Sequence, residues 1–156
     1  MKTLYFIAIL VVMISLASVG ALIYTTFAAP KIEIHSSFFR RGSESSGVFF
    51  IAHNHGLLEG CIMAAEMVGS SDLRVELHKN EVHEGKVVMS PVDKICIPGG
   101  GEVKALGIEG EGYHLMIFGK LPENTKMVRI KLYHDNGSSL EFEAMEQELP
   151  GSDQHE

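Results

Sequence analysis

The chain has 156 residues, 46% of them hydrophobic and 21% charged, with a formal net charge of -7. An acidic excess gives phosphate no basic footprint to meet, so nucleic acid is not expected as a partner. Eight methionines and eight histidines, beside two cysteines and no tryptophan, supply instead many soft and borderline metal donors for a chain of this size.

From Leu4 to Ala29 no residue carries a charge. As a helix this run reaches about 39 Å, against roughly 30 Å of bilayer hydrocarbon. Residues 1–30 are therefore expected to form an N-terminal transmembrane anchor, or a signal segment if a peptidase cuts after Val19-Gly20-Ala21 or Thr26-Phe27-Ala28. The length of the apolar run favours the uncleaved anchor, because signal peptides usually have a shorter one. Lys2 on one side and Lys31, Arg40 and Arg41 on the other oppose a simple positive-inside assignment. A very short head before a long domain is the layout of an exported protein, so the domain is expected on the extracytoplasmic face, or secreted or periplasmic after cleavage.

Residues 31–46 read as a linker or lead-in, with Ser36-Ser37 and Ser43-Glu44-Ser45-Ser46 around Gly42. Residues 47–146 read as the folded domain and 147–156 as a polar tail. Within the domain, strand-like runs follow one another at 47–52, 61–67, 73–78, 86–89, 94–97, 102–106, 113–118, 127–133 and 139–144, separated by Gly, Asn, Pro and Asp. The last pair is the clearest. Val128, Ile130 and Leu132 alternate with charged or aromatic neighbours, as do Leu140, Phe142 and Ala144, and Asp135-Asn136-Gly137 between them is a hairpin signal. Strands at this spacing, with no long helical period, imply an all-β antiparallel Greek-key sandwich or barrel.

Successive side chains on a strand alternate faces, so His114 and Met116 share one face while Tyr113 and Leu115 take the other. Phe118 and Ile117 extend the two faces equally, and the pattern does not say which is buried. Thioether sulfur selects Cu(I) and imidazole accepts copper in either state, so the pair suits one copper ion, although a methionine here is also ordinary core filling. Upstream, His78 ends one strand and Met89 lies on the next, beyond a turn at Gly85, where the two can be hairpin neighbours.

The order His78, Met89, then His114-Leu115-Met116 resembles the copper chaperones of the PCu(A)C family. The surrounding segments are similar in the same order: Gly47-Val48-Phe49-Phe50-Ile51-Ala52-His53-Asn54-His55-Gly56, Val75-Glu76-Leu77-His78, Met89-Ser90-Pro91-Val92-Asp93, Ile97-Pro98-Gly99-Gly100-Gly101 and Gly112-Tyr113-His114-Leu115-Met116. The likeness spans roughly residues 47 to 144. It implies a cupredoxin-like fold, a Cu(I) site made of His78, Met89, His114 and Met116, no catalysed reaction, and delivery of copper to an acceptor metalloprotein in cytochrome c oxidase (CuA) assembly. Three departures stand out. The spacer from Met89 to His114 is longer than usual, with the excess placed in 106–111; Lys79 follows the first ligand where an acidic residue is common; and the tail offers only His155. A cation at position 79 is expected to weaken binding slightly or to alter the docking face.

His53 and His55 are a possible accessory Cu(II) pair but fit solvated loop histidines better, His83 sits in a turn near the site, and His35 and His134 show no pattern. Cys61 and Cys96 lie among apolar neighbours and read better as small buried hydrophobes than as a disulfide. An electron-carrying cupredoxin needs a cysteine thiolate close in sequence to its His and Met ligands, which Cys96 does not offer. No nucleophile elbow, zincin motif or phosphate-binding loop marks an enzyme. A metal-free adhesion or assembly sandwich on a membrane anchor is the remaining alternative.

Overall fold

The computed structural model describes residues 2–107 and 112–147; the middle of the long spacer and the tail with His155 lie outside them. One helix, α1 (Lys2–Ala28), precedes ten strands: β1 (Ile32–Arg40), β2 (Ser45–Asn54), β3 (Gly60–Met67), β4 (Arg74–His83), β5 (Lys86–Pro91), β6 (Ile95–Ile97), β7 (Glu102–Ala105), β8 (Gly112–Phe118), β9 (Met127–His134) and β10 (Ser139–Glu146). The Tyr5–Thr25 stretch of α1 has a mean hydropathy of 2.8 and lies entirely free of the domain, long and apolar enough to cross a membrane. Only its end docks, where Ala28 is buried and its carbonyl accepts a bond from the Leu58 amide at 2.9 Å.

The strands form one sheet in the order β5-β4-β8-β2-β1-β10-β9-β3-β6, with β7 also paired to β2. All neighbours are antiparallel except β1 and β10, which run parallel, so the sheet is mixed rather than purely antiparallel. The sheet curls until β3 lies against β4 and β6 against β2. This closes a core of Phe39, Phe50, Ile62, Ile95, Ile97, Leu115, Ile117, Ile130 and Leu132, all essentially without exposure.

Residues 32–40, expected to be part of a linker, form a central strand instead. A β-bulge between Ile34 and Ser36 is the reason. It turns Ser36 to the same outward side as His35 and shifts the inward positions from even to odd numbers, so Ile32 and Ile34 pack inward before it and Phe39 after it. No strict alternation survives to be read. The cysteines also correct the expectation of free thiols: Cys61 and Cys96 are direct partners across β3 and β6, with Cα atoms 4.0 Å apart, and are joined in a disulfide.

Two turns set the registers that matter. His83 pairs with Lys86, leaving Glu84-Gly85 as a two-residue loop with φ of 50° and 76°. Positive φ at both positions is the twist-matched turn of a tight hairpin, and glycine adopts it without steric cost. The β9–β10 turn ends in Gly137 at φ 79°, as the Asp135-Asn136-Gly137 signal predicts.

Candidate metal centre

In the β4–β5 ladder His78 faces Pro91 and Asn80 faces Met89; in the β4–β8 ladder His78 faces His114 and Glu76 faces Met116. Directly opposed residues share a face, as do residues two apart on one strand, so His78, Met89, His114 and Met116 all stand on one side of β5-β4-β8. Leu77, Leu115 and Ile117 point the other way, into the core. This decides the face that the sequence left open.

His78 and His114 form the centre, with ring centroids 5.7 Å apart. Met116 lies one row beyond them and Met89 one row before, so the two thioethers flank the imidazole pair from opposite ends. Met89 is on the edge strand and 57% exposed, whereas Met116 is half-buried. The imidazoles are sheltered. Phe49 stacks on His114 at 5.9 Å and Phe118 lies 5.9 Å from His78. Gly47, opposite Met116, makes room for this cover, since a Cβ there would meet the Phe49 ring at 2.8 Å.

Both Nδ1 atoms, of His78 and of His114, are buried without a hydrogen-bond partner. Leaving a buried polar atom unpaired costs about 1–3 kcal/mol, so two on neighbouring rings need a reason, and a soft cation held by His78 and His114 would supply one. Glu76 completes the picture. Its Oε2 lies 3.1 Å from His78 Nε2 and its Oε1 3.1 Å from the Arg74 guanidinium. A carboxylate only accepts, so Nε2 carries the proton and Nδ1 keeps its lone pair. Burial, and secondarily the His78 charge, push the His114 pKa from 6.5 down to about 4, so this ring is neutral and able to ligate at neutral pH.

The structure brings the four residues named from the sequence to one face, and beside them it places Glu76, Phe49 and the buried Asn80, which the sequence reading did not single out; the Asn80 amide donates to the Gly107 carbonyl at 3.3 Å. Glu76 stood two residues before His78, and strand periodicity alone puts it on the same face. Lys79 lies on the opposite face from His78 and pairs with Glu81 at 2.6 Å. His83 is exposed at the hairpin end, 3.5 Å from the Glu81 carboxylate.

Two predictions follow from this chemistry. Glu76→Leu removes the acceptor that fixes the His78 tautomer, and the expected result is a Cu(I) affinity lower by about 10- to 100-fold in competition with a chelator. The second concerns the metal-free protein. The depressed pKa of His114 means that the unfolded chain protonates first, so the stability this group contributes is fully present above pH 6.5 and is lost as the pH drops toward about 4. Denaturant melts across that window should show this slope, reduced in His114→Gln; an identical slope in the variant would assign it to other groups.

Neither a protein-family model nor a curated protein matches the chain. Solved structures do. A copper-bound PCuAC domain from PmoF2 superposes with a TM-score of 0.57 at 15% identity, covering 76% of this chain and 94% of that one. The apo PCuAC domain from PmoF1 gives 0.57 at 13% identity, covering 76% and 95%. The apo PmoF2 domain gives 0.56 at 15%, covering 75% and 90%. With its ten strands ordered in this way, the chain has a PCuAC-like fold preceded by an N-terminal apolar helix.

Proposed function

We propose that this protein is a membrane-anchored, extracytoplasmic copper chaperone that binds Cu(I) through His78, Met89, His114 and Met116 and passes it to an acceptor metalloprotein, with cytochrome c oxidase CuA assembly as the destination. The observation that carries the reading is the pair of buried, unpartnered Nδ1 atoms on neighbouring imidazoles, flanked by two thioethers on the same face. The copper-bound PmoF2 domain among the structural neighbours supports copper as the cargo. Thioethers and neutral imidazoles hold Cu(I) without a thiolate that an oxidising compartment would consume. The disulfide and the exposed apolar helix support that compartment and the anchor.

The same geometry supports a transfer role. Met89, exposed on an edge strand, is the donor that an incoming acceptor ligand reaches first, so one bond can be exchanged while the imidazoles still hold the ion. Glu76 steadies the His78 ring throughout. The electron-carrier alternative loses its essential ligand, because both cysteines are in the disulfide and no thiolate remains. The test is Cu(I) competition against a chromophoric chelator with the full chain in detergent. One Cu(I) per chain, with loss of binding in His114→Ala, is the expected result. A folded wild-type chain that takes up no Cu(I) would leave the metal-free adhesion reading in place.

A further inference from the structure

A second group of metal donors lies on the same side of the sheet but on other strands. His35, His53 and His55 each present a ring nitrogen such that all three lie within 4.8 Å of one another. The rings of His53 and His55 stack at 4.4 Å, and His35 stands 5.8 Å from each. Three separate features of the fold assemble them. Alternation after inward-facing Ile34 sets His35 on the outer side of β1 at its bulge, the β2 alternation puts His53 there, and the chain leaving β2 carries His55. Carboxylates flank His53 in the sheet on both sides, with Glu33 opposite it on β1 and Glu102 on β7. Glu33 Oε2 is 3.1 Å from His55 Nε2.

Solvated histidines are common, but this turn is not loosely held. Asn54, between His53 and His55, is fully buried. Its Oδ1 accepts from the amides of Lys31 and Gly56 at 2.9 and 3.0 Å, and its Nδ2 donates to the carbonyls of Leu58 and Ile97 at 2.8 and 3.1 Å. The backbone carrying both imidazoles is thus fixed before any ligand arrives, which lowers the cost of ordering a site. Metal–imidazole bonds of about 2.0–2.1 Å require nitrogens somewhat closer than the limit above, a change that small ring rotations provide.

We propose that His35, His53 and His55, with Glu33 as the nearest carboxylate, form a second site for a divalent first-row transition-metal ion, taken most tightly as Cu(II). The donor set is nitrogen with an adjacent oxygen and contains no sulfur, which suits Cu(II) and is poor for Cu(I), while the Irving–Williams order places Cu(II) above Zn(II) in one such site. It is also separate from the Cu(I) donors. Both groups sit on the outer side of the sheet, but His78, Met89, His114 and Met116 are on β4, β5 and β8, and Phe49 of β2, which covers His114, is four residues from His53, about 13 Å along the strand. The two sites therefore divide the metal by oxidation state, one soft and sheltered, the other hard and open.

The test uses the full chain in detergent, titrated with a Cu(II) salt and followed by electron paramagnetic resonance, with competition by a Cu(II) chelator. The expected result is one tightly held Cu(II) with nitrogen hyperfine structure. Affinity should fall at least a hundredfold in the His35→Gln/His53→Gln/His55→Gln variant and at least tenfold in His35→Gln alone. His78→Leu/His114→Leu should leave it unchanged. Circular dichroism checks folding, and the single variant, altering one exposed side chain, serves if the triple one does not fold. Unchanged Cu(II) binding in a folded variant, or its loss in His78→Leu/His114→Leu, overturns the site. Zn(II) retained against equimolar Cu(II) overturns the copper assignment.

Discussion

A chain carrying Met89→Leu and Met116→Leu is expected to lose Cu(I) affinity by at least about a hundredfold while its metal-free form melts close to wild type. Softness gives the direction: the two thioethers are the soft donors on the face that holds His78 and His114, and without them two imidazoles alone hold Cu(I) less firmly. Packing gives the control. Leu has nearly the volume of Met, Met116 is half-buried and Met89 mostly exposed, so the stability change should stay under about 1.5 kcal/mol. Binding and folding are thereby separated. The measurement is competition against a Cu(I) chelator, with circular dichroism and thermal melting of the metal-free proteins. Unchanged Cu(I) affinity in a well-folded double variant would falsify the four-donor site.

The shared face of these four residues was legible because their strands are regular. Alternation holds through β4 and β8 without a bulge, so His114 and Met116 declare a shared face, and the Glu84-Gly85 turn fixes Met89 within reach of His78. What alternation cannot give is which face is covered. His114-Leu115-Met116-Ile117-Phe118 is apolar on both sides, and only the curling of β3 against β4 makes Leu115 and Ile117 the core residues.

Where regularity breaks, the sequence becomes opaque. The bulge in β1 hides a central strand among residues that look like a linker, and with it hides His35, which shows no pattern until its register against β2 is known. The parallel pairing of β1 with β10 is equally invisible, since it joins segments more than a hundred residues apart with no turn to signal it. The disulfide has the same cause. Cys61 and Cys96 are 35 residues apart, and their apolar neighbours describe two buried positions equally well whether or not the strands pair.

That bond carries the largest stability effect expected of any substitution considered. The Cys61→Ala/Cys96→Ala variant is expected to be less stable by about 3–4 kcal/mol, the loop-closure contribution for a 35-residue separation, which corresponds to a melting temperature lower by roughly 10–20 °C in a domain of this size. Local structure gives the same sign. β6 has only three residues and is the last strand of the sheet, yet Ile95 and Ile97 on either side of Cys96 are wholly buried core residues. Holding β6 to β3 therefore keeps two large side chains in place, and releasing it exposes them at a sheet edge. Copper binding provides an independent readout, because the disulfide contributes no ligand and the four donors lie on other strands. At a temperature where the variant is folded, its Cu(I) affinity should equal that of wild type. Urea melts of wild type, with and without a thiol reductant, and of the variant make the comparison. A loss below about 1 kcal/mol in the variant would mean that strand pairing alone secures β6.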